Sequence, residues 1–273
     1  MSDLTKKRVI TVAVTGSWPT KEDNPNVPIH PEEIAQSVFE CWKAGAAVAH
    51  IHVRDDEGKP CMDFEKYRQV VELIRANKEC DININLTTSG VGGMDDDARI
   101  YPLQQLRPEL CSYDCGSMNW QNNAIFENHP RFLEKLGYAC QDLGIKPELE
   151  IFDTGMLYNA LYYIKKGVLK APCHFQIVLG APGGMTIDLD HLLYLHRLLP
   201  ENCTWAACGI GKGHMPVMLT TIALGGHLRV GMEDNVMYHK GVLAQSNAQF
   251  VARAKRLLDL YEAGSKIDEV EEI

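Results

Sequence analysis

The sequence predicts a single (β/α)8 barrel, on three observations. Eight short runs, apolar or strictly alternating, recur along the 273 residues, and each is followed by a segment with helical spacing of apolar positions. No low-complexity linker interrupts the series. The competing doubly wound sheet needs Gly-x-Gly-x-x-Gly after its first strand. That turn reads Gly16-Ser17-Trp18-Pro19, and the nearest match, Gly209-Ile210-Gly211-Lys212-Gly213, comes too late in the chain. One barrel domain over residues 1–273 is the expectation.

Residues 9–16 read as a buried strand ended by glycine, followed by a loop with prolines at 19, 25 and 28. Pro31 and the acids Glu32 and Glu33 open a helix that ends near Gly45, because a first turn favours proline and negative charge. The second strand follows Ala46-Ala47-Val48-Ala49 and carries His50-Ile51-His52-Val53-Arg54-Asp55. A helix over 64–76 leads to the alternating strand 81–88, and a helix over 95–106 leads to the strand 110–116. The pattern repeats as helix 130–143, strand 147–153, helix 156–166 and strand 174–180. It closes with helix 189–199, strand 204–211, helix 215–224, strand 227–233 and a final helix over 242–263.

Composition narrows the function. A net charge of −9 argues against a general nucleic-acid surface, which needs concentrated basic charge. Nine cysteines lack any Cys-x-x-Cys pair. Cys111 with Cys115, or Cys203 with Cys208, resembles a ligand pair, but buried free thiols in a reducing compartment fit the scatter better. Residues 1–8 are charged and run straight into a strand, unlike a signal peptide. No stretch approaches the ~20 apolar residues of a membrane helix. A cytoplasmic protein that binds neither nucleic acid nor membrane is expected.

Reactive groups of such barrels gather at the C-terminal ends of the strands. In a strand, alternate side chains share a face, so His50 and His52 project together with Arg54 beyond them. Asn83, Asn85 and Thr87 line one face of the third strand, and the two asparagines read as structural. Asp114 ends the fourth strand, and Glu148 and Glu150 share a face of the fifth, one of them a partner for an arginine such as Arg229. Asp234 reads either as a helix cap or as a group of the site. Glu233 at the mouth of the last strand must be exposed, paired or ligating. Two histidines and one carboxylate leave zinc with open positions, the pattern of a catalytic centre. Such an ion polarises a carbonyl and stabilises an enolate, with Arg229, Glu150 and Asp234 beside it for proton transfer.

These residues resemble the β-keto acid cleavage enzyme family. The resemblance rests on His50-Ile51-His52-Val53-Arg54-Asp55 together with Gly225-Gly226-His227-Leu228-Arg229-Val230-Gly231-Met232-Glu233-Asp234-Asn235. It extends to Val12-Ala13-Val14-Thr15-Gly16, Pro28-Ile29-His30-Pro31-Glu32-Glu33-Ile34, Lys146-Pro147-Glu148-Leu149-Glu150-Ile151-Phe152-Asp153 and Leu179-Gly180-Ala181-Pro182-Gly183-Gly184.

The resemblance implies a barrel with one zinc per chain, assembled as a homo-oligomer, a tetramer. The implied reaction converts a β-keto acid and acetyl-CoA into acetoacetate and a new acyl-CoA. By position, His50, His52 and Glu233 match the zinc ligands, and Arg229, Asp234 and Glu150 match the proton-transfer group. Thr87, Ser89 and Gly90 match the substrate-contacting turn, and Asp114 falls where another substrate contact is common.

Two departures stand out. Members that take amino-bearing keto acids carry a glutamate shortly after the first-strand glycine. Here Ser17-Trp18-Pro19 occupies that turn, which implies an uncharged substrate with an apolar or larger tail beside Trp18. Lys212 replaces the common arginine after Gly-Ile-Gly, so a CoA phosphate meets a point charge rather than a bidentate fork. A metal-dependent hydrolase on the same barrel is the alternative enzyme, and a barrel kept as a binding protein is the non-enzymatic one.

Overall fold

The computed structural model describes residues 7–90 and 93–264, so residues 1–6 of the charged N-terminal stretch lie outside the described residues. Eight strands close into a barrel: β1 Ile10–Ala13, β2 Val48–Ile51, β3 Asn83–Leu86, β4 Leu110–Asp114, β5 Lys146–Ile151, β6 Cys173–Leu179, β7 Cys203–Gly209 and β8 His227–Val230. All pairings between barrel neighbours are parallel and follow chain order. β8 closes on β1 with Thr11 opposite Arg229.

The helices between them are α1 Pro31–Ala44, α2 Phe64–Ala76, α3 Asp96–Leu106, α4 Pro130–Leu143, α5 Thr154–Lys166, α6 Leu189–Leu198, α7 His214–Leu224 and α8 Asn247–Gly264. At several of them free N-terminal N–H groups find side-chain acceptors. Asp63, Asp95, Asp153 and Asp188 accept from Glu65, Asp97, Met156 and Asp190. At α1, Pro31 fills the first turn and the Glu33 carboxylate accepts from the N–H groups of Ile29 and His30.

Strand alternation divides the labour. Ile51, Leu86, Tyr113, Leu149, Phe175 and Leu228 point outward and are fully buried beneath helix residues such as Ile34, Val70, Leu103 and Phe132. Each such side chain contributes about 1.5–3 kcal/mol on burial, so the hydrophobic core lies between barrel and helices. The inward face then carries little of that load. It holds Thr11, His50, Asn85, Ser112, Glu148, Gln176 and Arg229, all buried and polar. Register stacks them into layers: Ala13 opposite His50, His50 opposite Asn85, Ser112 opposite Glu148, and Asp114 opposite Glu150.

Three two-stranded ribbons leave the C-terminal ends of β2, β4 and β8. They pair Val53–Arg54 with Pro60–Cys61, Met118–Trp120 with Ala124–Phe126, and Met237–His239 with Val242–Leu243. The last one corrects the predicted helix over 242–263. Val242 and Leu243 are apolar because they belong to the ribbon; Lys240-Gly241 turns the chain back first, and the helix begins at Asn247.

The predicted strand over 227–233 likewise stops at Val230. Gly231 has φ 144°, and a Cβ there would lie 2.0 Å from the carbonyl oxygen of Ala13. Asp234 and Asn235 both donate their N–H to Gly231 O, at 3.3 and 3.1 Å. This turn carries Glu233 and Asp234 over the barrel mouth.

All nine cysteines are free. Cys111 faces Cys140 of α4 and Cys115 donates to Tyr113 O, so those two thiols do not converge. No helix of the described residues is long and apolar enough to cross a membrane.

Candidate active site and metal centre

β2 and the segment after it bring His50 and His52 to the mouth with their Nε2 atoms 3.1 Å apart. Glu233 Oε1 arrives from the turn after β8, 3.6 Å from His50 Nε2 and 3.5 Å from His52 Nε2. A triangle with those edges has a point about 2.0 Å from every corner, which is the bond length of zinc to imidazole or carboxylate. The predicted ligand set therefore converges on a cation-sized gap. A second group, His50 with Glu148 and Glu150, also gathers potential ligand atoms and shares His50 with the first.

The turn after β1 shapes this centre. Ser17 Oγ lies 2.9 Å from His52 Nδ1, the kind of outer partner that fixes a ligating ring. Arg54 does not enter the triad. Its Nε donates to Gly16 O at 2.8 Å, and Nη2 and Nη1 donate to Pro19 O and Gly58 O at 2.9 Å each, tying the loop down. Gly16 has φ 67°, and a Cβ there would lie 2.4 Å from Glu233 Cγ. Gly16→Ala is expected to lower stability by about 1–3 kcal/mol through backbone strain. By displacing Glu233 it should also weaken zinc at least about tenfold. Urea denaturation and a zinc competition titration check the two effects separately.

Arg229, inside the barrel, joins the three other predicted groups. Its Nε and Nη2 donate to the two oxygens of Asp234 at 3.1 Å each, Nη1 to Glu150 Oε1 at 3.3 Å, and Nη2 to Glu233 Oε1 at 2.6 Å. Asp234 thus pairs with arginine and is not the cap of a helix. The bidentate fork fixes its plane as well as its charge.

The predicted substrate turn lies on the neighbouring strands. Thr87 Oγ1 accepts from Ser89 N at 3.1 Å, and Ser89 Oγ donates to Asp114 Oδ2 at 3.1 Å. Gly90 lies against Arg99, whose Cδ would be 2.7 Å from a Cβ there. A cavity of about 290 Å³ opens beside Gly90, lined by Met94, Arg99, Ile125, Glu127 and Arg131 among others. Trp18 stands apart, 57% exposed and without a hydrogen bond or ring contact among the described residues.

Among the described residues the buried cations are Arg54, Arg99 and Arg229, and the buried carboxyls are Asp114, Glu148, Glu150, Asp234 and the largely buried Glu233. Arg54 and Arg99 donate to backbone carbonyls and to Asn128, so Arg229 is the one arginine that pairs with Glu150, Glu233 and Asp234. Burial pushes Glu148 up to about 7 and Glu150 well above the usual carboxylate range, against the pull of Arg229. It raises Asp114 and Asp234 too. Glu233 goes the other way: burial opposes ionisation, yet His52, Arg229 and His50 hold it well below the usual range. Burial keeps His50 neutral down to about 3, so its pull acts only in acid, whereas Arg229 acts at any pH.

The raised Glu148 makes a pH prediction. The folded protein keeps a proton up to about pH 7 that the unfolded chain releases near 4.5, so rising pH favours unfolding across that window. Glu148→Gln removes this penalty. In metal-stripped protein its stability advantage over the parent is expected to widen by about 1–2 kcal/mol between pH ~6 and ~8. Urea denaturation of both proteins at the two pH values measures it.

Two site residues escaped the sequence reading. Ser17 was read only for the charge it lacks, although β1 lies beside β2 and so brings its turn against His52. Asn85, read as structural, donates from Nδ2 to Glu148 Oε1 at 2.8 Å across the barrel and faces His50.

Comparison with known proteins places the chain in a family. A 3-keto-5-aminohexanoate cleavage enzyme of Fusobacterium nucleatum subsp. nucleatum is 40% identical over 253 residues, covering 92% of this chain and 91% of that protein. A 3-oxoadipate:acetyl-CoA acetyltransferase of Cupriavidus necator is 34% identical over 261 residues, covering 94% and 90%. The structure of ObcA in ternary complex with a C4-CoA adduct and oxalate superposes with a TM-score of 0.74 at 19% identity, covering 88% of this chain and 65% of that one, a likeness of fold. Residues 7–273 match the beta-keto acid cleavage enzyme family as a whole, and the chain belongs to that family.

Proposed function

We propose that the chain is a zinc-dependent β-keto acid cleavage enzyme that exchanges acyl groups with acetyl-CoA, giving acetoacetate and a new acyl-CoA. The observation that carries this reading is the convergence of His50, His52 and Glu233 on one point, beside a group of buried carboxylates. His50, His52 and Glu233 would hold the zinc, which would supply positive charge to polarise a keto group and ease loss of a proton from the neighbouring carbon.

The chain's own residues do the rest. Asp234, Glu150 and Arg229 act as one coupled unit that accepts the proton, with Arg229 holding Asp234 by two hydrogen bonds. Thr87, Ser89, Gly90 and Asp114 form the wall that orients the keto acid. Both relatives named above act on β-keto acids, and one uses acetyl-CoA, which supports acetyl-CoA as the second substrate here. The match over residues 7–273 supports one barrel domain, which we take to work in a homo-oligomer.

The tail is read by the turn after β1. Ser17 is engaged with His52, no acid stands in Ser17-Trp18-Pro19, and exposed Trp18 offers apolar surface. Uncharged β-keto acids should be preferred over 3-keto-5-aminohexanoate. A panel of β-keto acids assayed with acetyl-CoA, reading acetoacetate, tests the function. Cleavage without CoA would point to a hydrolase instead. Lys212, exposed in the Gly211–Gly213 turn before α7, sits where barrels hold phosphate. Lys212→Ala should raise KM for acetyl-CoA about fivefold with kcat unchanged, as an exposed charge contact allows.

A further inference from the structure

A polar column runs down the barrel axis from the metal centre. His50 Nδ1 and Asn85 Oδ1 are buried and neither has a hydrogen-bond partner, although the two residues sit opposite each other in register. Asn85 Nδ2 donates to Glu148 Oε1 at 2.8 Å. The other carboxylate oxygen of Glu148 faces His174 Nε2 at 3.6 Å, and His174 Nδ1 lies 2.9 Å from Thr204 Oγ1. Glu148 and Asn85 are 1% and 0% exposed.

We propose that Asn85 and Glu148 are positioning residues that set the tautomer of His50. The proposal rests on the zinc reading above. Asn85 Nδ2 donates to Glu148 Oε1, which turns the NH2 of Asn85 inward and its carbonyl oxygen toward His50. That oxygen is placed to accept a hydrogen bond from Nδ1–H, which leaves the lone pair of His50 on Nε2, the nitrogen that points at His52 and Glu233. His174 anchors the far end by facing the second Glu148 oxygen. Ser17 serves His52 in the corresponding way. The two ligand rings thus receive their orientation from different partners, one at the mouth and one in the barrel floor.

The column predicts an effect of amide direction rather than of size. In Glu148→Gln the new NH2 can donate to Asn85 Oδ1, which turns the Asn85 NH2 toward His50 and forces its proton onto Nε2. Zinc affinity should fall about 10- to 100-fold. The double exchange Asn85→Asp with Glu148→Gln swaps carboxylate and amide. It again gives His50 Nδ1–H an acceptor, so at least about half of the loss should be recovered on a logarithmic scale.

The readouts are zinc dissociation constants by chelator competition and the visible spectrum of the cobalt(II)-substituted proteins, with thermal unfolding as the folding control. Parental affinity in Glu148→Gln overturns the proposal, as does a double exchange no tighter than that variant. If Glu148→Gln does not fold, Asn85→Leu carries the test: a loss of about tenfold or more supports the column, and parental affinity overturns it. Failure of the parent to bind zinc overturns the functional reading and the column with it. A zinc-binding parent with an unaffected Glu148→Gln overturns the column alone.

Discussion

Arg229→Met is expected to abolish keto acid cleavage, with kcat/KM down by more than about 10³-fold, and to cost about 3–5 kcal/mol of stability. Both effects have one source. Arg229 is the only cation that touches Asp234, Glu150 and Glu233 among the described residues, and all four groups are largely out of water. Removing it leaves three carboxylates to repel one another where solvent cannot screen them. They will respond by holding protons, so the lost stability should return in part as the pH falls. Arg229→Lys should not rescue activity, because one ammonium cannot reproduce a fork on Asp234 together with contacts to Glu150 and Glu233. Urea unfolding at two pH values and steady-state kinetics measure the outcome. A variant within 1 kcal/mol of the parent on this scale would show that the cluster is held by something else.

Asp234→Asn is expected to lower kcat about 10²- to 10⁴-fold while zinc stays bound. Asp234 is placed by Arg229 and is not one of the three converging ligand atoms, so removing its charge should spare the metal and strike the proton transfer. The coupled unit must be ionised to accept a proton. Because burial raises the Asp234 carboxyl, the parent's kcat should rise with pH through one apparent value belonging to the group, and this rise should be lost in the variant. Kinetics paired with elemental analysis of the same samples decide the point. Loss of zinc in step with activity would make Asp234 a support of the metal instead.

The barrel was legible because its strands and helices each repeat a physical period, and their alternation admits few folds. The convergence of His50 and His52 was legible too, since they are two apart at the end of one strand and barrel sites collect at strand ends. What escaped depended on features with no period. The ribbon of Met237–His239 with Val242–Leu243 is too short to alternate, so its apolar residues were absorbed into the helix behind it. Glu233 reaches the histidines only because Gly231 breaks the strand, a bend that a run of seven strand-like residues conceals. The Asn85–Glu148 bond joins strands that are not neighbours, and such contacts follow from barrel stagger rather than from residue spacing.

The central claim is that a divalent ion between His50, His52 and Glu233 makes the chemistry possible. Titrating zinc back into metal-stripped protein while following acetoacetate formation tests it most directly. Activity should rise from background and level off near one zinc per chain. Full activity in the stripped protein, unchanged by added zinc, would contradict the account.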